Sequence, residues 1–254
     1  MPLTLLPAFL SSFWPIYSLC LVIAALCGFE LAGLAKVNPL LALPGLAYVA
    51  LAPLFATNMP YLDAVAFLVG INALFMGWKS ENKLAHSATV FFGALWFAAP
   101  LVSLTELHSI GARSTSEGFV WMTPLLLALL PIWAGDTAAI FVGRAWGKRP
   151  LAPSISPKKT IEGSIGNLLA CCVMGILLVP LLHVEWSVGL GAGLICGVFG
   201  QLGDLFESWL KRLVGAKDSG SLLPGHGGFL DRIDSILFSA IPLTLLIEFF
   251  ASSK

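Results

Sequence analysis

Four polar side chains in the stretch 201–212 (QLGDLFESWLKR) could do chemistry together. Asp204, Glu207, Ser208 and Lys211 fall at i, i+3, i+4 and i+7, so a helix places two carboxylates, a hydroxyl and an ammonium on one face. The stretch ends an apolar run, where each bare carboxylate at membrane depth costs roughly 2–3 kcal/mol or more on insertion scales. A salt-bridged helix end is the plainer alternative for these residues taken alone.

A second constellation lies at 217–235 (KDSGSLLPGHGGFLDRIDS). The Pro224-Gly225-His226-Gly227-Gly228 turn contains glycines whose backbone can bring N–H groups close to a ligand. The helix that follows opens on Asp231, Arg232 and Asp234, with the two acids sharing a face at i, i+3. Acids at a helix start can merely complement its dipole. Hard oxygen ligands contributed by two helices nevertheless suit Mg²⁺, which takes one or two carboxylates plus substrate phosphates. Asp204 and Asp231 are the pair selected for that role, and Asp234 either ligates or orients a ligand. His226, in the glycine turn, is placed to touch phosphate. His86, His108 and His183 are isolated, and no Cys/His spacing fits zinc.

A third cluster runs through 133–163. Asp136 lies inside an apolar run about two turns before Arg144, and an intramembrane carboxylate is a candidate functional group, although it can also serve as a helix-packing ion pair. Ser156-Pro157-Lys158-Lys159-Thr160 offers two ammoniums and two hydroxyls just ahead of a helix N-terminus expected near Gly163, a set that can bind polyphosphate. A basic loop can also be only a topology signal or a contact for anionic lipid. The three clusters share one task. A highly charged, water-soluble group meets a lipid-embedded one, and cations and lysines neutralise phosphates during phosphoryl or nucleotidyl transfer.

The elements that must position these residues are membrane helices. Of 254 residues, 57% are hydrophobic and 11% charged, against about 25% charged in soluble domains. Long uncharged runs recur at 16–35, 40–57, 61–78, 88–105, 119–143, 164–184, 188–207 and 230–250, each of a length to cross the bilayer. Lipid cannot satisfy backbone N–H and C=O groups, and the alternation of a barrel strand is missing, so the spans are helical. Residues 2–13 form a possible ninth, shorter helix at the interface. The expectation is an all-α polytopic integral membrane protein of about 8–9 transmembrane helices. It forms a single domain over 1–254, with a helical scaffold half (1–118) nearly bare of charge in its spans and a working half (119–254). The N-terminus lacks the basic stretch and cleavage site of a removed leader. The five cysteines sit in apolar runs as small hydrophobes.

Charge sets the expected orientation. Arg144, Lys148, Arg149, Lys158 and Lys159 crowd the loop 144–163; Lys211, Arg212 and Lys217 crowd the loop 208–229; Lys79 and Lys83 precede them by two spans. All three loops fall on one side, which the positive-inside rule makes cytoplasmic. Net charge is zero, so no electrostatic case exists for nucleic acid.

Ser208-x-x-Lys211-Arg212, then Lys217-Asp218-x-Gly220, then Pro224-x-His226-Gly227-Gly228-x-x-Asp231-Arg232-x-Asp234 resembles the signature of the phosphatidate cytidylyltransferases, or CDP-diacylglycerol synthases. Ser156-Pro157-Lys158-Lys159-Thr160-x-Glu162-Gly163, Gly203-Asp204-Leu205-x-Glu207-Ser208, and Asp136 followed by Gly143-Arg144 resemble further blocks of that family. The resemblance is specific from about 136 to 235 and only hydropathic before that. It implies transfer of CMP from CTP to phosphatidate at the inner membrane, with the site facing the cytoplasm and CDP-diacylglycerol and pyrophosphate as products. It implies a two-cation centre containing Mg²⁺ held by Asp204 and Asp231, with Lys211 and Asp234 in the same site. It implies contacts to CTP phosphates from Ser156, Lys158 and Lys159, further substrate-binding positions at Ser208, Arg212, Lys217, His226 and Arg232, and a homodimer. The competing readings are a CTP-dependent kinase of a polyprenol-type lipid and a cation-coupled transporter; the latter gives no reason for the glycine turn or the SPKKT stretch.

Overall fold

The computed structural model describes residues 13–55, 60–113, 123–220 and 227–252. The chain is helical nearly throughout: α1 (Phe13–Ala35), α2 (Leu43–Leu51), α3 (Pro60–Gly77), α4 (Lys83–Gly93), α5 (Leu95–Arg113), α6 (Thr123–Trp146), α7 (Ile161–Leu182), α8 (Trp186–Leu213) and α9 (Leu230–Ser252). Two short strands, β1 (Pro150–Ala152) and β2 (Ser156–Thr160), pair antiparallel between α6 and α7. Among the described residues, six helical stretches are long and apolar enough to cross a membrane: Trp14–Ala35, Lys83–Ile110, Leu125–Trp146, Ile161–Leu182, Trp186–Leu213 and Leu230–Phe250. At 1.5 Å per residue, 20 residues cover the ~30 Å hydrocarbon layer.

Lipid exposure is legible in the side chains. Ile165, Leu169, Val173, Leu177 and Leu181 follow each other at four-residue steps along α7, and all are exposed. In water such a stripe would be costly; in a bilayer it is the surface that meets acyl chains. The protein is a polytopic, all-helical membrane protein.

Two details depart from expectation. The 40–57 run is not one span: it breaks into a 3₁₀ turn (Pro39–Ala42), α2 and a second 3₁₀ turn (Ala52–Phe55). Prolines at 39, 44 and 53 restart the backbone each time, because a proline lacks the N–H that a continuing helix requires. It and Tyr61–Gly77 are shorter apolar helices. The SPKKT stretch, expected as a loop, is strand β2. The interfacial helix expected at 2–13 falls, apart from Phe13, outside the described residues.

The chain packs as two compact units. The first comprises Met1–Glu106 with Trp209–Ile233, and the second Leu107–Ser208 with Asp234–Lys254. Residues 209–233 pack with the N-terminal helices. In the second unit α6 and α7 are the most extensively paired helices. Small residues let them approach: a Cβ on Gly163 would lie 2.9 Å from the Ala139 carbonyl, and one on Gly135 2.9 Å from Asn167 Nδ2.

Candidate active site

The second unit builds a cavity where α6, the hairpin, α7 and α8 meet. The sequence assembles it locally. Thr160 ends β2 and caps α7, its hydroxyl accepting the Gly163 N–H at 3.1 Å. Ile161 N–H donates to the Arg149 carbonyl at 2.9 Å, closing the base of the hairpin. Glu162, the single acid of the basic loop, accepts from the backbone N–H groups of Lys148 (3.1 Å) and Arg149 (3.3 Å) and from Arg149 Nε (3.0 Å). Its carboxylate is a hairpin anchor.

That framework delivers charged groups of both signs to a cavity of about 660 Å³, within the range of small-molecule sites. Asp136 of α6 and Asp204 of α8 line it, as do the cations Arg144, Lys158 and Lys159. Lys159 is half-buried and its ammonium pairs with the Asp204 carboxylate; Lys158 is exposed. Asn167 of α7 donates its Nδ2 to Asp136 Oδ1 at 3.3 Å. Gln201 ties α7 to α8, donating Nε2 to the Ser164 carbonyl (3.2 Å) and the Gly197 carbonyl (2.6 Å) while the Ser164 hydroxyl donates back to Oε1. Asp204 follows Gln201 by one helical turn, so this tie sets its position. Gly203 brings α8 against α9: a Cβ there would lie 3.0 Å from the Asp234 carbonyl carbon and 3.1 Å from Phe238 Cβ.

The first unit builds a tighter polar centre around the start of α9. Asp231 Oδ1 receives the Lys211 ammonium. Asp231 Oδ2 accepts from Ser219 N–H (3.0 Å), Gly228 N–H (2.9 Å) and the Ser219 hydroxyl (3.1 Å). Gly227 turns the chain here at φ +78°, a left-handed backbone that favours glycine. Gly228 is read from sequence as offering its N–H to a ligand; that N–H instead holds Asp231. Trp209 stacks on Phe75 of α3 at 4.4 Å between centroids, fixing the end of α8 that carries Lys211.

The match to known proteins is decisive at the family level: the model of the cytidylyltransferase family covers residues 1–250. The chain belongs to the cytidylyltransferase family. Individual relatives agree. The chain is 41% identical over 161 residues to a phosphatidate cytidylyltransferase of Bacillus subtilis (strain 168), covering 63% of this chain and 59% of that one. It is 46% identical over 139 residues to a protein of the same name from Staphylococcus saprophyticus, and 48% identical over 139 residues to one from Staphylococcus aureus (strain COL), covering 53% of this chain and 52% of each relative. The matched stretches thus span little more than half the length of these relatives.

Within that family frame, the expected site residues separate into two groups. Ser156, Lys158, Lys159 and Asp204 line the cavity of the second unit. Lys211 and Asp231 form the polar centre of the first. Ser208 and Asp234 are buried. Asp234 sits against Gly203, and its Oδ1 accepts the Ser235 N–H at 2.6 Å. Arg212 is exposed and donates Nη1 to the Ala216 carbonyl at 2.8 Å, closing the turn after α8. Lys217 and Arg232 are exposed. His226 lies outside the described residues.

Sequence reasoning passed over Asn167, Gln201, Ser164 and Ser219, whose neutral side chains carry no distinctive signal in an apolar run. It also passed over Glu30, although an acid inside the first span is itself a signal. Both Asp204 and Asp231 are hard oxygen donors already facing a cationic group. Among the described residues no three His, Cys, Asp or Glu side chains gather as a closed metal cage. A cation held at either carboxylate would complete its shell with substrate oxygens and water, which is the habit of Mg²⁺. Each carboxylate taken singly fits that ion.

Proposed function

We propose that the protein transfers the cytidylyl group of CTP to phosphatidate, giving CDP-diacylglycerol and pyrophosphate. The observation that carries this is the cavity of the second unit, where Lys158, Lys159 and Arg144 share a wall with Asp136 and Asp204 beside lipid-facing helices. Three cations suit the phosphates of a nucleoside triphosphate, and the carboxylates suit the cations that accompany it. Family membership and the names of the relatives point the same way.

In this reading a phosphate oxygen of phosphatidate attacks the α-phosphorus of CTP. The bond from that phosphorus to the oxygen bridging to the β-phosphate breaks, and pyrophosphate leaves with the electron pair. Lys158, Lys159 and Ser156 bind the triphosphate, and Asp204 and Asp231 are the carboxylates that would hold Mg²⁺ and a second cation. Lys211 orients the Asp231 carboxylate, Asp234 supports the reaction, and Ser208, Arg212, Lys217, His226 and Arg232 are further substrate contacts. Bound Mg²⁺ supplies neutralisation of the charge that develops on the phosphates. The active face is cytoplasmic, on the three basic loops, the membrane is the inner one, and the working form is a homodimer, as the family resemblance implies.

The test uses purified protein in lipid with phosphatidate and CTP labelled at either phosphorus. Label at the α-phosphorus is expected in the lipid product and label at the γ-phosphorus in pyrophosphate. Appearance of γ label in lipid would make the protein a CTP-dependent kinase instead. Solute flux in liposomes without CTP turnover would make it a transporter.

A further inference from the structure

The charge-poor N-terminal helices contribute one carboxylate to the polar centre around Asp231. Glu30 lies in α1, 3% exposed. Its Oε1 accepts the Phe229 N–H at 2.7 Å; its Oε2 accepts the Leu230 N–H at 2.8 Å and lies 3.0 Å from the Ser219 hydroxyl. The first N–H groups of a helix have no partner within it. Here a carboxylate from a helix about 200 positions earlier supplies that partner, with the favourable sign for a helix N-terminus.

The Ser219 hydroxyl stands between two carboxylates, 3.0 Å from Glu30 Oε2 and 3.1 Å from Asp231 Oδ2, and its single proton can serve only one of them at a time. Glu30 packs tightly here: a Cβ on Gly220 would lie 2.8 Å from Oε1, and one on Gly228 would strike the Ser219 hydroxyl first, with Glu30 Oε2 2.8 Å away. Gly220 therefore has no room for a side chain beside Glu30. Through Ser219 and Gly228, both donors to Asp231, Glu30 reaches the carboxylate that faces Lys211.

We infer that Glu30 is a positioning residue, holding the 219–220 and 228–230 segments so that Asp231 Oδ2 is committed to the Ser219 and Gly228 donors while Oδ1 stays turned toward the Lys211 ammonium. The proposal rests on the reading that Asp231 binds the divalent cation of the transfer reaction. Asp63 supplies the comparison. It is equally buried, at 2%, in the same unit, and accepts from Tyr48 Oη (2.7 Å) and Ser103 Oγ (2.9 Å), touching neither segment.

The experiment takes the full chain purified in detergent, as wild type and as Glu30→Gln, Glu30→Ala, Asp231→Asn and Asp63→Asn. Amide hydrogen exchange is read at 219 and 228–231, and Mn²⁺ binding by electron paramagnetic resonance, both without substrate. Glu30→Ala should speed exchange at Phe229 and Leu230 by roughly tenfold or more, the scale of one lost charge-assisted hydrogen bond. It should weaken the Asp231-dependent Mn²⁺ affinity about tenfold, as loss of an outer-shell partner does. Glu30→Gln, whose amide can accept on only one side, should fall between wild type and alanine. Asp63→Asn should change neither readout, even where it lowers the unfolding temperature. In turnover, Glu30→Gln should need more Mg²⁺ for half-activation and lose kcat while KM for CTP stays nearly unchanged. Wild-type exchange at Phe229 and Leu230 in both Glu30 variants, or Mn²⁺ binding indifferent to Glu30 or to Asp231, would overturn the inference. If wild-type protein forms no CDP-lipid while the exchange and Mn²⁺ results hold, the proposed reaction fails and the placement of Glu30 stands.

Discussion

The two aspartate–lysine pairs are built in opposite ways. Lys159 comes from a short hairpin strand and meets Asp204 at the wall of an open cavity, with side chains 29% and 35% exposed. Lys211 comes from a long helix and meets Asp231 in a nearly closed centre, with side chains 9% and 13% exposed. Asp231 has three further donor contacts from Ser219 and Gly228, whereas Asp204 receives the hairpin lysine. The first pair can open to admit a ligand at little cost, because a partly exposed ion pair contributes little. The second is fixed before any ligand arrives, because breaking a buried pair leaves an uncompensated charge. One centre is suited to receiving a nucleotide and the other to holding a permanent carboxylate geometry.

The sharpest way to break that contrast is to neutralise the acids. Asp231→Asn and Asp204→Asn should each lower turnover by at least about 10²–10³-fold, the scale of losing one preorganised electrostatic group, while membrane insertion is unchanged. Near-normal CDP-lipid synthesis in either variant would remove that residue from the site. EDTA should stop the reaction and added Mg²⁺ restore it; persistence in EDTA would separate both aspartates from metal binding.

Removing the lysines should separate the pairs by stability. Lys211→Met should destabilise the protein by roughly 3–5 kcal/mol, as an orphaned buried carboxylate does. Lys159→Met should cost only about 0–1 kcal/mol and should instead raise KM for CTP. Thermal unfolding in detergent reads the first effect and initial rates the second. Equal destabilisation by the two would erase the distinction drawn here.

A smaller effect is expected at the hairpin anchor. Glu162→Gln should raise KM for CTP a few-fold with kcat nearly intact, since it loosens the base of the strand carrying Lys158 and Lys159 without touching Asp204. The mildest readout is protection: CTP should shield Lys158 and Lys159 from an amine-labelling reagent while leaving buried Lys211 unlabelled with or without nucleotide. Unchanged labelling at Lys158 and Lys159 would argue against their contact with CTP.

The amino-acid sequence alone determined that the chain spans a membrane as helices, because hydropathy is a local property and lipid permits no other backbone solution for such runs. It also singled out Asp204, Lys211 and Asp231, because they sit in short motifs whose spacing is visible without a fold. The tertiary structure decided everything that joins distant parts of the chain. Glu30 bonds to Phe229 and Leu230 across separations of 199 and 200 positions, and no pattern within a helix's length can announce such a contact. The hairpin of 150–160 was hidden for a related reason: its strands are held by Glu162 and by the Thr160 cap rather than by alternation. The assignment of 209–233 to the N-terminal unit depends on packing between elements that only a folded chain brings together.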